Sequence, residues 1–148
     1  MLYCYAVIFM VIMAVDYGKS RTGLAVCDSM EIIASPVGII AEKDFDKCLE
    51  KVADEVKARK AELIVVGLPK RTDGKAGATE ELATKFSERL KEMTGTETVL
   101  WNEVFTTVSA HQALNEMNVR GKKRKAVVDA LAAVIILESY LNRRHNTV

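Results

Sequence analysis

Short runs of apolar residues separated by turn-forming residues mark the first part of the chain. Residues 1–15 are all apolar and end at Asp16, and an apolar run resumes over residues 24–27 after the polar segment YGKSRTG. This pattern predicts a β-hairpin whose first strand occupies the second half of the opening run. Residues 31–40, interrupted by Pro36 and Gly38, predict a third strand near a sheet edge, because proline cannot donate a ladder hydrogen bond.

The spacing of apolar residues then becomes helical. It predicts a helix over residues 44–60, followed by a strand over 62–67 that is buried on both faces of the sheet. A second helix that ends at Gly95 and a strand over 96–101 come next. A helix over 107–118 and a last, almost wholly apolar helix over 127–141 complete the chain. The apolar face of the second helix is predicted at Leu82, Phe86, Leu90 and Met93. The order βββαβαβαα predicts one α/β domain over residues 1–148, with a five-stranded mixed sheet and helices on both faces.

The opening apolar run is shorter than the roughly 20 residues that a membrane span needs. It also lacks the positive n-region and the small-residue cleavage site of a secretory signal. We therefore expect no membrane association. Because a strand needs only about 5–6 residues, we expect residues 1–9 to be an extension or the result of a misplaced start, with Met10 or Met13 the native one.

Composition narrows the class of protein. The 148 residues include 21 Lys and Arg against 20 Asp and Glu, a formal net charge of +1. This balance argues against a protein that binds nucleic acid through positive charge over its whole surface. A chain of this length can fold without disulfides or a structural metal. The cysteines, Cys4, Cys27 and Cys48, are odd in number and widely spaced, so we expect reduced core thiols and a cytoplasmic protein.

Three acidic residues end or interrupt apolar segments, where an ionised carboxylate is costly unless it is paired or bound to a metal. Asp16 ends the first strand, Glu103 follows the fifth, and Asp129 is the only charge between Lys125 and Glu138. Each has a structural alternative. Asp16 could initiate a turn, Glu103 could be a solvated strand end, and Asp129 could be the N-cap or a first-turn acid of the last helix.

A mixed sheet can bring the ends of the first and fifth strands side by side, which would make Asp16 and Glu103 neighbours, with Asp129 reaching them from the last helix. Convergent carboxylates are hard oxygen ligands that suit Mg²⁺ or Mn²⁺ rather than zinc. His111 and His145 form no zinc motif and are expected on helix surfaces. The three acids therefore predict a divalent-metal site.

A basic run directly precedes Asp129. Without its five positive residues the chain has 16 positive against 20 negative residues; they are Arg120, Lys122, Lys123, Arg124 and Lys125. The run is either a solvated loop or a phosphate-binding loop that brings a polyanion to the metal site. We favour the second interpretation, in which Lys70, Arg71 and Lys75 of the loop after the fourth strand extend the basic surface.

Four motifs in order resemble the YqgF family of RNase H-like proteins over residues 13–141. They are AVDYGKSRTGLAV at 14–26, IVVGLP at 64–69 with Asp-Gly at 73–74, NEVFTT at 102–107, and KAVVDALAAVIILESYL at 125–141. The resemblance implies an RNase H-like fold, and it places the family's three metal-binding acids at Asp16, Glu103 and Asp129. It also implies that Lys19 and Arg21 position phosphate or support the acids.

One motif departs from the family pattern. The usual Asp-Glu-Arg is here Asn102-Glu103-Val104, so the metal-binding glutamate is kept while the flanking acid and base are lost. The metal triad is intact.

The resemblance implies a divalent-metal-dependent endonuclease, because members of the family are described as proposed pre-16S rRNA nucleases or Holliday junction resolvases. We expect processing of the 5′ end of pre-16S rRNA in ribosome biogenesis, with a Holliday junction resolvase or a non-cleaving ribosomal RNA-binding module as alternatives. The expected partner is pre-rRNA or branched DNA, bound by a monomer or homodimer. An ATP-dependent phosphotransferase, suggested by the glycines after Asp16, would need two such domains, more than 148 residues supply.

Overall fold

The computed structural model describes residues 8–68, 78–102 and 121–146, with all side chains in these ranges except those of residues 78 and 121–129. The described elements follow in chain order: β1 (Ile12–Asp16), β2 (Thr22–Cys27), β3 (Ala34–Ile40), α1 (Phe45–Ala58), β4 (Leu63–Leu68), α2 (Ala78–Thr94), β5 (Glu97–Asn102) and α3 (Gly121–Asn146). The helix predicted over 107–118 lies outside the described residues.

The strands form one mixed sheet in the order β3-β2-β1-β4-β5. β1 pairs antiparallel with β2, and β2 pairs antiparallel with β3, whereas β4 is parallel to both β1 and β5. Parallel neighbours need crossover connections, and α1 and α2 lie in these connections. The predicted mixed sheet is confirmed. The edge position of β3 is also confirmed, and its register with β2 shifts between Leu24 and Ala25, next to Pro36.

β3 begins at Ala34, three residues later than predicted from the sequence. The preceding loop is held by Asp28, whose carboxylate accepts hydrogen bonds from the backbone N–H groups of Ile33 at 2.7 Å, Ile32 at 2.8 Å and Met30 at 3.2 Å. These bonds, led by the one from Ile33, hold the pKa of Asp28 below its usual value. Local capping of this kind competes with strand pairing, which delays the start of β3.

Side chains alternate between the two faces of the sheet. Val15 of β1 and Val66 of β4 belong to the core beneath α1 and α2. Ala14 of β1 and Val65 of β4 belong to the core beneath α3. Since successive residues of a strand point to opposite faces, Asp16 falls on the face that α3 covers. This alternation decides which helix can share a site with Asp16.

The opening apolar run supplies the central strand of the sheet. Ile12, Met13, Ala14 and Val15 are completely buried, as predicted for the second half of the run. Of the helices within the described residues, none is both long and apolar enough to cross a membrane.

The buried stripe of α2 is displaced from the predicted one, since Ala83 and Ser87 are buried as well. Phe86 and Leu90 are fully buried, whereas Met93 is 38% exposed. The stripe continues at the half-buried Thr94, four residues after Leu90, and the chain then turns at Gly95, where φ is +69°. Met93 therefore lies beside the buried stripe, at the margin of the predicted apolar face.

α3 is longer at both ends than the helix predicted over 127–141. It spans Gly121–Asn146, so residues 122–125 of the basic run form its first turns and not a loop. Lysine and arginine are good helix formers when their side chains are solvated, which is why a charged run does not end a helix. Asp129 consequently lies in the third turn. The interpretation of Asp129 as the N-cap or a first-turn acid is therefore wrong.

Candidate functional site

Asp16 lies directly before the turn between β1 and β2, at the end of the sheet where β1, β4 and β5 all finish. Asp16 is half-buried at the last position of β1. Gly18 follows in a turn so tight that a Cβ there would lie 2.3 Å from the carbonyl oxygen of Arg21. The buried Thr22 hydroxyl closes the turn, 3.4 Å from Gly18 N and 3.5 Å from Gly18 O. The turn therefore requires glycine at position 18.

An aromatic cluster supports this turn from the side of α1 and α2. Tyr17 stacks on Phe86 with ring centroids 4.5 Å apart, and Phe45 meets the two rings edge-on at 6.0 and 5.7 Å. Burial raises the pKa of Tyr17, so its hydroxyl stays protonated near neutral pH. Because Tyr17 directly follows Asp16, the cluster fixes the backbone that carries the acid.

A buried thiol lies beneath the same turn. Cys48 Sγ in α1 lies 3.3 Å from the hydroxyl of Thr22, and burial raises the pKa of Cys48, so the thiol stays neutral. The sequence offers only a weak signal for this support. Cys48, Phe45 and Phe86 show helical apolar spacing, which predicts burial but does not say what each residue packs against.

Two basic side chains lie in the turn itself. Lys19 is exposed and Arg21 is half-buried. Both lie within five residues of Asp16, so a phosphate that approaches the acid meets positive charge from the same loop. The turn thus combines one carboxylate with two cations at the carboxyl edge of the central strand.

Half of the other predicted site residues lie outside the described residues: Glu103, Lys70, Arg71, Lys75 and Arg120. Asp129, Lys122, Lys123, Arg124 and Lys125 lie in α3, where only the backbone is described. Among the side chains that are described, no three His, Cys, Asp or Glu residues are grouped so that they could hold a metal ion. The described structure therefore places the side chain of one predicted acid, Asp16, and the backbone of a second, Asp129.

β4 separates the ends of β1 and β5. Val15 of β1 pairs with Val66 of β4, and the next residue of β4, Gly67, pairs with Trp101 of β5. At about 4.8 Å per strand, the ends of β1 and β5 are about 10 Å apart. The expectation that these ends lie side by side is wrong, because apolar periodicity does not specify the order of strands in a sheet. The two ends do share one edge, since β1, β4 and β5 are parallel.

Hydrogen bonds fix the direction of α3 across the sheet. Near its carboxyl end, Arg144 donates from Nη2 to the carbonyl oxygen of Ile8 at 2.7 Å and from Nε to Glu31 Oε1 at 2.9 Å. Because Ile8 precedes β1, α3 runs antiparallel to β1, and its amino-terminal half runs toward the edge where β1 ends. Trp101 Nε1 donates to Ser139 Oγ at 3.2 Å, which joins α3 to β5 as well.

The sequence profile of the RuvX family, described as Holliday junction resolvase, matches residues 10–143. The chain belongs to this family. Two relatives named as proposed pre-16S rRNA nucleases are similar over most of their length. The relative from Nitrosospira multiformis is 36% identical over 135 residues, covering 91% of this chain and 89% of the relative. The relative from Clostridioides difficile is 39% identical over 136 residues, covering 92% and 96%. The resemblance carried by the four sequence motifs is thus confirmed.

Solved structures share the fold of this family member. The structure of Thermus thermophilus RuvC in complex with a Holliday junction substrate is similar with a TM-score of 0.62 at 16% identity, covering 94% of this chain and 98% of RuvC. The fowlpox virus Holliday junction resolvase has a TM-score of 0.57 at 14% identity, covering 90% and 99%. At such low identity the similarity concerns the fold alone, and it confirms the predicted RNase H-like architecture.

Proposed function

We propose that this chain is a divalent-metal-dependent endonuclease that processes the 5′ end of pre-16S rRNA. The observation that carries the proposal is the position of Asp16. It is a half-buried carboxylate at the end of the central strand, on the face covered by α3, and two cations lie in the turn that follows it. The relatives named as proposed pre-16S rRNA nucleases support the substrate class.

The register of α3 supports a role for Asp129 beside Asp16. Ala133, Leu137 and Leu141 form a stripe at intervals of four residues and are buried against the sheet. Position 129 precedes Ala133 by four residues and therefore belongs to the same stripe of the helix. We therefore expect position 129 on the side of α3 that packs on the face of Asp16.

The expected positions of Asp16 along β1 and of Asp129 along α3 also agree. Glu31 accepts hydrogen bonds from Met10 N, just before β1, and from Arg144 near the end of α3, so these two residues lie at one level. Asp16 follows Met10 by six residues, about 20 Å along a strand. Asp129 precedes Arg144 by fifteen residues, about 22 Å along an antiparallel helix. Both acids are therefore expected at the same level across the sheet.

The donor set fits a hard divalent cation. Asp16, Asp129 and Glu103, the residue after β5, offer carboxylate oxygens, which suit Mg²⁺ or Mn²⁺. When bound, such ions supply an activated water and stabilise the leaving oxygen of a phosphodiester. The protein's own contribution, within the described residues, is to hold Asp16 on a strand backed by the Tyr17 cluster.

Basic residues would hold the phosphate backbone next to these acids. Lys19 and Arg21 extend from the turn after β1, and residues 122–125 occupy the first turns of α3, the half of the helix that runs toward the same edge. Arg120, Lys70 and Arg71 complete the proposed surface. Contacts of this kind position a nucleic acid without reading its sequence, and the binding they give is sensitive to salt.

The test compares cleavage by the parent, Asp16→Asn and Asp129→Asn. Each protein is incubated with a pre-16S rRNA fragment or a four-way DNA junction, in Mg²⁺ or Mn²⁺ against EDTA. Losing a ligand removes several kcal/mol of transition-state stabilisation, so each variant should be slowed by more than about a hundredfold. Asp54→Asn is the matched control, because Asp54 is an exposed acid on α1. If both site variants cut as fast as this control, the assignment is wrong.

A Holliday junction resolvase is the second candidate, favoured by the description of the matching family. Resolution needs two cuts and therefore two sites, which implies a homodimer. Symmetric cleavage of the four-way junction, without cleavage of the RNA, would favour this activity. A non-cleaving RNA-binding module is favoured by the loss of the flanking pair at Asn102 and Val104. It predicts salt-sensitive RNA binding that survives Asp129→Asn, and no divalent-dependent product.

A further inference from the structure

The hydroxyl of Thr22 is a buried polar group that the proposed nuclease chemistry does not use. Thr22 begins β2 and has no exposed surface. Its Oγ1 lies 3.4 Å from Gly18 N, 3.5 Å from Gly18 O and 3.3 Å from Cys48 Sγ. A hydroxyl has one proton to donate and two lone pairs that accept. Three partners therefore use its whole hydrogen-bonding capacity.

The chemistry of the three partners gives each of them one role. The N–H group of Gly18 can only donate, so it donates to Thr22 Oγ1. The carbonyl oxygen of Gly18 can only accept, so the Thr22 hydroxyl donates to it. The second lone pair of Oγ1 is then left for the S–H group of Cys48, which is neutral because burial raises the pKa of this thiol. A side chain without the hydroxyl would break all three hydrogen bonds at once.

Thr22 is itself held from two sides, which makes it a fixed point in the sheet. Its backbone pairs with Ile40 of β3, and the next residue, Gly23, pairs with Asp16 of β1. Its side chain lies on the same face of β2 as Leu24, which belongs to the core beneath α1 and α2. Strand pairing and core packing therefore determine where the hydroxyl lies.

Gly18 is the part of the turn that this hydroxyl holds. It lies two residues after Asp16 and approaches Arg21 so closely that no Cβ fits there. Asp16 lies on the face of the sheet that α3 covers, whereas Thr22 approaches from the face of α1 and α2. The hydrogen bonds of Thr22 thus fix the backbone after the acid without occupying the space in which a metal or a phosphate would bind.

We propose that Thr22 is a positioning residue of the proposed metal site, which holds the backbone after Asp16 in the conformation in which the carboxylate binds a divalent cation. This role rests on the proposed nuclease function, because Asp16 needs such support only as a metal ligand. Loss of the hydrogen bonds that orient metal ligands typically costs about 10–100-fold in metal affinity or activity. Removing the hydroxyl should therefore weaken metal binding even though Thr22 does not touch the metal.

The test compares Thr22→Val, which removes the hydroxyl and keeps the branched shape, with Thr22→Ser, which keeps the hydroxyl. Thr94→Val is the matched control. The Thr94 hydroxyl also joins two backbone groups, donating to Leu90 O at 2.8 Å and accepting from Thr96 N at 3.1 Å. It lies where α2 leads into β5, at the opposite end of the sheet from Asp16.

Binding of Mn²⁺ to each full-length protein, without nucleic acid, is measured from the electron paramagnetic resonance signal of the free ion. We expect Thr22→Val to bind Mn²⁺ about tenfold more weakly than the parent, and Thr22→Ser and Thr94→Val to stay within about twofold. A second measurement needs no variant. In the parent, the amide proton of Gly18 should exchange with solvent at least about tenfold more slowly than in the unfolded chain, because it is bonded to a buried hydroxyl.

Three results would each overturn the proposal: Mn²⁺ affinity of Thr22→Val equal to that of Thr94→Val, an equal loss in Thr22→Ser, or an unprotected Gly18 amide. Asp16→Asn, measured alongside, separates this role from the nuclease assignment. Weak binding by Asp16→Asn with normal binding by Thr22→Val refutes the positioning role alone. Normal binding by Asp16→Asn refutes the proposed metal site and the role of Thr22 with it.

Discussion

Replacing Glu31 by glutamine should destabilise the protein more than any exposed substitution of the same kind. The side chain of Glu31 is fully buried and holds Arg144 at 2.9 Å, with His145 at 3.0 Å and Met10 N at 2.9 Å. Removing one partner of a buried charge pair costs about 3–5 kcal/mol. Arg144 is 26% exposed and can be rehydrated, so the loss should be at the lower end, about 3 kcal/mol.

The same substitution should have a defined pH dependence. Burial alone raises the pKa of Glu31, but the bonds from Arg144, His145 and Met10 N outweigh it and hold the pKa below the usual 4.5. A carboxyl whose pKa is lower in the folded state stabilises fully above its unfolded pKa, and this contribution is lost as the pH falls through the folded pKa. The difference in stability between parent and Glu31→Gln should therefore shrink as the pH is lowered below about 4.5.

Urea unfolding, followed by the fluorescence of the single tryptophan, Trp101, measures this difference at pH 7 and at pH values below 4.5. In a thermal melt, a loss of about 3 kcal/mol in the free energy of unfolding lowers the Tm of a chain of this length by about 6–12 °C. Glu50→Gln, an exposed acid on α1, is the matched control and should change stability by less than about 0.5 kcal/mol. A Glu31→Gln protein as stable as this control at pH 7, or a difference that does not shrink in acid, would refute the reasoning.

Three further substitutions test the site and its supports. Gly18→Ala should lose about 1–3 kcal/mol and most cleavage activity, because its Cβ would meet the Arg21 carbonyl oxygen at 2.3 Å; normal urea unfolding would contradict this. Lys19→Ala should weaken RNA binding and lower the slope of log Kd against log salt by about 1, measured by filter binding; an unchanged slope would exclude a phosphate contact. Trp101→Phe should lose about 1 kcal/mol in thermal melts, since it removes the hydrogen bond to Ser139; no change would show that the bond is replaced by water.

The sequence predicts features that depend on near neighbours. The buried strand that ends at Asp16, the tight turn at Gly18 and the buried positions of Phe86 and Leu90 all follow from local spacing. These features are confirmed because apolar periodicity reports directly on which face of an element is buried. The mixed sheet follows from the order of elements along the chain, because strands joined by short turns pair antiparallel and strands joined by helical crossovers are parallel.

Features that depend on distant residues could not be predicted in this way. Glu31 and Arg144 are separated by 113 positions, and nothing in the local pattern distinguishes Glu31 from a solvated residue at the start of a strand. The insertion of β4 between β1 and β5 is likewise a property of the whole sheet. The start of α3 was predicted too late along the chain for another reason. A run of charged residues such as 120–125 indicates exposure to solvent, and it does not tell whether the backbone is helical.

The antiparallel packing of α3 on β1 brings both ends of the described chain to one side of the molecule. Ile8 is hydrogen-bonded to Arg144, two residues before the end of α3, and the turn that carries Lys19 lies on the opposite side. A fusion partner or a surface attached through either end would therefore stand behind the protein, with the proposed nucleic-acid surface facing outward. Such neighbouring ends also suit a circular permutation that joins them and opens the chain elsewhere.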